Sequence, residues 1–336
     1  MILVTGATGR LGSQVVRLLR AARLELRCLV RPGSQYYWLN DTGANYFFGD
    51  LRNPTLLRRS LRGCTHVIHT ANIRVETTAN NHGATIGDGG ISLVAAANEA
   101  GIRHFVMTSC LGVERGYTNA AFAALARVES ALSSSGLSHT IVRCGPFVDD
   151  FSEVARRISR GEQPKVFGDP ENQVCPIYRK DAALFAIASL DHPAGHDRAI
   201  DVVGPEALSV DDALKRACKL ANVEPSYRLF HGAAAKLAIR AGGLAGRRWR
   251  HAFEREQILL SSDGVRDMEA LSRAFGLKLT AFDEAVKAEL AEERPWEDPD
   301  GRNTKVVHRQ FQATVYEPGQ IPLQDLPEGP QKFDAE

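Results

Sequence analysis

The sequence predicts an α/β chain with a doubly wound parallel sheet, a smaller C-terminal lobe and an extended C-terminal tail, and three observations carry that expectation. Ile2-Leu3-Val4-Thr5 reads as a buried strand that runs directly into Gly6-Ala7-Thr8-Gly9-Arg10-Leu11-Gly12 and then a helix. Up to about residue 150, apolar strand-like runs alternate with helical stripes, as a parallel sheet demands. From Glu292 onward, Pro295, Pro299, Pro318, Pro322, Pro327 and Pro330 interrupt any regular element. The expected divisions are a nucleotide-binding core over 1–150, a substrate or partner lobe over 151–290 with late strands returning to the core, and a proline-rich tail over 291–336.

The glycine loop makes the core a Rossmann-type sheet built to cradle a dinucleotide. Gly6 permits a tight turn off the strand, Gly9 lets backbone N–H groups approach a pyrophosphate, and Gly12 lets the helix pack close to the sheet. The phosphates then sit at the positive end of a helix expected from Ser13 to Arg23, with Thr8, Arg10 and Leu11 beside them. A second strand, Leu24 to Val30, ends at Arg31, where an acidic residue would take the ribose 2′-hydroxyl of NAD. Arg31 instead suits a 2′-phosphate, and Arg10 could reach the same group, so NADP(H) is favoured over NAD(H).

The remaining elements follow in order. Residues 44–48 form a third strand ending at Gly49-Asp50-Leu51, where Asp50 could accept from the adenine amino group; a helix Pro54 to Leu61 follows. His66 to Thr70 is a fourth strand with Ala71 and Asn72 at its carboxyl edge. An alanine-rich helix around Ser92 to Ala100 leads to a fifth strand, His104 to Ser109, and a helix ending at Ser135-Gly136 precedes a sixth, Thr140 to Arg143. Ligands bind outside the carboxyl ends of such strands, which gathers Thr70, Ala71, Asn72, Ser109, Cys110, Gly145, Pro146 and Phe147 around one crevice. Further on, a helix from Val148 to Gly161 enters the lobe, Ala199 to Val203 is a late strand, and Ser209 caps a helix from Val210 to Ala221.

Composition narrows the class. A formal net charge of +1 gives no global field for nucleic acid. The strand at residue 2 leaves no room for a secretory leader, and no apolar run approaches the ~20 residues of a membrane span. Six dispersed cysteines without a Cys-x-x-Cys pair suggest neither a metal site nor a disulfide framework, so a reducing cytoplasm is the expected compartment.

The glycine loop, the Leu29-Val30-Arg31 strand end, Gly49-Asp50-Leu51, residues 136–143 and Val203-Gly204-Pro205-Glu206-Ala207-Leu208 together resemble the NmrA-like branch of atypical short-chain dehydrogenases over roughly residues 1–290. Trp249 in a basic segment, with Asp267-Met268-Glu269 leading to Phe275-Gly276-Leu277, is similar to the Ycf39 proteins of cyanobacteria and plastids. The first resemblance implies an NADP-binding Rossmann domain; the second implies a role in assembling photosystem II, at the periphery of a membrane complex. Typical members of the superfamily use a Tyr-x-x-x-Lys pair on the helix after the fifth strand, the lysine lowering the tyrosine pKa for proton transfer. Extended members carry a glutamate four residues beyond that lysine. Glu129 fits it, which assigns Leu125 to the lysine and Ala121 to the tyrosine. Neither side chain can transfer a proton.

Other candidates keep two readings. His69 is either a replacement acid or a hydrogen-bonded strand residue, and Cys110 either a redox-sensitive thiol or packing. Ser109 could bind a carbonyl oxygen. Arg143 either binds an anionic ligand in a pocket shared with Cys110 and Phe147 or makes a structural ion pair. Asp181 reads as a helix N-cap rather than a catalytic base. Residues 231–257 carry six basic against two acidic side chains, interleaved with Leu237, Leu244, Trp249 and Phe253. That stretch suits a partner helix, an anionic membrane surface or a solvated face. The 291–336 tail is a disordered end, a strap, or an arm pairing through residues 311–316. The expectation is an NADP(H)-binding, redox-responsive scaffold or assembly factor; the alternative is an NADPH-dependent reductase of a quinone-like acceptor.

Overall fold

The computed structural model describes residues 1–34, 36, 39, 42–73, 76, 77, 80–117, 119–190, 192–235, 237, 260 and 264–292. Seven parallel strands form the central sheet: β1 (Ile2–Thr5), β2 (Leu26–Val30), β3 (Asn45–Phe48), β4 (His66–His69), β5 (His104–Cys110), β6 (His139–Cys144) and a late strand (Arg198–Val202). Two short strands, β7 (Lys165–Phe167) and β8 (Gln173–Val174), come between β6 and that late strand, which is therefore β9. Sheet order is β3-β2-β1-β4-β5-β6-β9, so the chain winds outward in both directions from the β1/β4 junction. Register is continuous across it: Ile2 pairs with Leu26 on one side and with His66 on the other.

Both faces of the sheet are covered, and β1 and β4 at its centre are buried along their whole length. Helices α1 (Arg10–Ala21) and α6 (Arg179–Ala188) close one face, where Val4, Val15, Leu19, Ile68, Val106 and Phe185 share a core. The opposite face is closed by α2 (Pro54–Ser60), α3 (Gly89–Glu99) and α4 (Ala120–Ser133), where Leu3, Val67, Leu93, Phe105, Met107 and Val128 pack. A third cluster belongs to the later elements: α5 (Val148–Ser159), α7 (Val210–Leu220) and a C-terminal helix (Phe282–Ala291), joined through Phe151, Leu214 and Phe282. With α8 (Glu269–Phe275) before it, that last helix is α9. β10 (Leu208–Ser209) pairs antiparallel with β8, and β11 (Arg228–Phe230) pairs parallel with β7.

Three local details differ from the sequence reading. Helix α1 begins at Arg10, three residues before Ser13, because Gly9 is extended and the helix takes up the whole Arg10–Leu11–Gly12 turn. The helix before β5 begins at Gly89 and is preceded by a π-helical segment, His82–Asp88. Glycines discourage a helical reading, yet here contact requires them: a Cβ on Gly89 would stand 2.8 Å from Leu51 Cβ, and one on Gly90 2.7 Å from Val128 Cγ2. Asp181 is not an N-cap. It lies in the first turn of α6, and its carboxylate accepts from Thr280 N (2.7 Å) and Thr280 Oγ1 (3.0 Å), tying α6 to the segment before α9. Ser209 does cap α7, accepting from Asp212 N at 3.0 Å. The basic stretch after residue 237, residue 260 apart, the Trp249 segment up to residue 263, and the tail from residue 293 lie outside the described residues.

Candidate dinucleotide site

A crevice of about 330 Å³ opens outside the carboxyl ends of β1, β4, β5 and β6, at the point where the strand order reverses. Its floor is the glycine loop. Gly6 adopts φ +72°, and a Cβ there would lie 2.5 Å from Ala71 N. Gly12 sits beneath rather than in the crevice: its Cβ would lie 2.6 Å from Thr70 Oγ1, which itself donates to Thr5 O at 2.8 Å. The loop is thus pressed against the end of β4, and α1 aims its N-terminus into the crevice with no side chain capping it. Gly6, Thr8, Gly9, Arg10 and Leu11 line this end, an arrangement suited to a pyrophosphate.

A line of buried charge begins there. Arg10 Nη1 donates to Asp149 at 2.8 Å, and Asp149 lies 3.4 Å from Arg179 Nε. Arg179, 1% exposed, continues to Glu289 (2.5 Å) and Glu292 (3.4 Å), and Glu292 also accepts from Arg17 (2.9 Å) and Gln14 (3.2 Å). Burial alone would lower the Arg179 pKa, but Asp149 and Glu289 beside it raise it, so the guanidinium keeps its charge. Arg10 lines the crevice, and its Nη1 is drawn by Asp149 toward α5.

Arg31 marks the other end. It is exposed, lines the crevice, and donates to Asn80 Oδ1 at 2.6 Å. Asp50 and Leu51 line the same end. Asp50 is held by Arg52 through Nε (2.9 Å) and Nη2 (2.7 Å), and those hydrogen bonds keep its carboxyl below the usual carboxylate range.

Thr70, Ala71, Asn72, Ser109, Cys110, Pro146 and Phe147 come together at the third side, where the nicotinamide half of a dinucleotide would extend. Ser109 Oγ is buried here with no hydrogen-bond partner, and Cys110 is half-buried. Ala121 and Leu125 are buried apolar residues of α4.

Two candidates fall elsewhere. Arg143 reaches from β6 to Glu129 on α4 (2.6 Å) and to Glu114 in the turn after β5 (3.5 Å), which draw its guanidinium into a separate groove with Ser130, His139 and Asp197. It makes the structural ion pair, and the substrate-pocket reading is withdrawn. His69 is 1% exposed, does not line the crevice, and shares a 2.6 Å hydrogen bond between Nδ1 and Thr5 Oγ1. Burial pushes its pKa down to about 4, so it is a neutral core residue near neutral pH rather than a replacement acid. Sequence reading missed Thr85, Asp149 and Arg179, which line the crevice from three different elements and belong to no short motif.

Sheet order, glycine cradle and crevice define a Rossmann-type dinucleotide-binding protein of the short-chain dehydrogenase kind. Residues 6–193 match the family described as NAD(P)H-binding, and the chain belongs to that family. It is 33% identical over 213 residues to an NAD(P)H azoreductase of Xenophilus azovorans, covering 62% of this chain and 70% of that protein. It is 31% identical over 216 residues to the photosystem II assembly factor Ycf39 of Guillardia theta, covering 64% and 68% respectively. In fold it superposes on an NADPH-dependent quinone oxidoreductase of Escherichia coli, with a TM-score of 0.67, 18% identity, and 86% of this chain and 100% of that chain covered. Among the described residues no helix is long and apolar enough to cross a membrane, and no group of three or more His, Cys, Asp or Glu side chains could hold a metal ion.

Proposed function

We propose that this chain binds NADP(H) in the crevice and serves as a redox-responsive scaffold or assembly factor, without the side-chain proton relay of a conventional carbonyl reductase. The reading is supported chiefly by the glycine loop pressed against β4, together with the sequence register that assigns Ala121 and Leu125, both buried, to the tyrosine and lysine positions. Arg31 favours the 2′-phosphate, and the similarity to Ycf39, a photosystem II assembly factor, favours an assembly role. The charged line from Arg10 to Glu292 supplies a physical connection between the crevice and α9. The partner surface itself is proposed for residues 231–257 and 291–336.

The second reading, reduction of a quinone-like or azo acceptor, is favoured by the unpartnered Ser109 hydroxyl and by the azoreductase relative. Bound dinucleotide would supply hydride, and the acceptor would take its proton from water. Ser109 would orient an acceptor oxygen or nitrogen; Phe147 and Cys110 would form the apolar wall. Stopped-flow absorbance of NADPH-loaded protein mixed with quinone and azo panels separates the two. The scaffold reading expects the nicotinamide to stay reduced for minutes. Oxidation at rates near ~10 s⁻¹, ordinary for enzymes, would overturn it in favour of the reductase.

A further inference from the structure

We propose that Thr85 is a binding residue for the adenosine half of the dinucleotide, presented by the π-helical segment His82–Asp88. The inference deepens the NADP(H) reading of the crevice and rests on it. Thr85 is 6% exposed, lines the crevice, and its Oγ1 has no hydrogen-bond partner among the described residues. Buried polar groups are almost always paired, so an unpaired hydroxyl on a residue that lines a cavity marks a place where a ligand can complete it. The backbone around it is the second observation. π-helical turns are rare and concentrate at functional sites. This one is firmly anchored: Asn81 Oδ1 accepts from Ala84 N at 2.7 Å, and the His82 ring meets Ile73 O and Glu76 Oε1, each at 2.9 Å.

The two flanks of the segment identify the half of the ligand. Just before it, Asn80 holds Arg31, the residue placed for the adenosine 2′ position. Just after it, Gly89 packs against Leu51, which follows Asp50 at the end of β3. Thr85 lies between these contacts, one turn before Gly89. A hydroxyl both donates and accepts, so it suits a ribose oxygen or an adenine ring nitrogen equally. Asn80 acts differently, as a positioning residue that holds Arg31 at the crevice.

The test measures binding of NADP⁺, adenosine 2′,5′-bisphosphate and nicotinamide mononucleotide to the full chain by calorimetry, for wild type, Thr85→Val and Thr85→Ser. Thr85→Val should weaken NADP⁺ and the bisphosphate by the same factor, about tenfold, and leave the mononucleotide unaffected; Thr85→Ser should restore both. Valine matches threonine in shape and removes an unpaired hydroxyl, so the thermal midpoint of the free protein should not fall. Unchanged affinity for both adenosine ligands, or an effect confined to the mononucleotide or to acceptor kinetics, overturns the proposal. If wild type binds no NADP⁺ at all, the crevice reading fails first and Thr85 falls with it.

Discussion

The two ends of the crevice are built on different principles. The phosphate end is made from backbone: Gly6 at φ +72°, an uncapped α1 and a loop pressed against Ala71 leave no space for other residues. The end proposed for nicotinamide is made from side chains delivered by β4, β5, β6 and the turn after β6, where Ser109 has no partner among the described residues; Ala121 and Leu125 of α4 are buried outside the crevice lining. Backbone geometry tolerates almost no substitution, while side-chain chemistry can drift without unmaking the fold. On the proposed reading, a chain of this kind keeps its dinucleotide while its chemistry changes.

The comparison breaks most completely at Gly6. Gly6→Ala puts a Cβ 2.5 Å from Ala71 N in a left-handed backbone region, so NADP⁺ affinity should fall on the order of 100-fold, with a lowered thermal midpoint. Near-normal calorimetric affinity would mean that the backbone does not govern that end. Arg31→Asp comes next. Hydrogen bonds to a charged group are worth about 1.5–3 kcal/mol, so NADP⁺ binding should weaken roughly ten- to hundredfold while NAD⁺ changes little. Equal losses for the two would refute the 2′-phosphate assignment.

A third prediction concerns the sheet beneath both ends. Burial pushes His69 down to about 4 and His104 to about 3, the latter also through neighbouring His196. Both are neutral when folded and take up a proton more readily when unfolded. Their contribution is therefore complete above about pH 6.5 and is lost as pH falls toward about 4 for His69 and about 3 for His104, by about 1.4 kcal/mol per unit for each histidine. Urea midpoints at pH 7 and pH 5 should differ accordingly, and His69→Gln should shrink the difference. Ser109→Ala gives the smallest effect: removing an unpaired hydroxyl should leave the free protein within about 1 kcal/mol of wild type. A larger loss would show that Ser109 serves the core rather than a ligand.

How much of this was legible in the sequence follows the same division. The β1 strand, Gly6–Gly12 and Arg31 were readable because their constraint is local: a tight turn, a close helix and a strand end lie within about thirty residues. Asp149, 139 residues from Arg10, could not be read, since its pairing depends on how α5 returns over the glycine loop. For Arg143 the sequence leaves an anionic-ligand contact and a structural ion pair both open; Glu129 and Glu114 decide for the ion pair, and only tertiary structure brings all three together. Thr85 was missed because two glycines after the π-helix hid the helical pattern, although close packing on Leu51 and Val128 is what requires them.

With its glycine loop and Arg31 in place, the crevice is expected to bind NADP(H) in preference to NAD(H). Equilibrium titration of the purified chain, following enhancement of reduced-nicotinamide fluorescence with NADPH and with NADH, tests it directly. The account predicts saturable binding of NADPH at least about tenfold tighter than NADH. Equal affinities, or tighter binding of NADH, would contradict it.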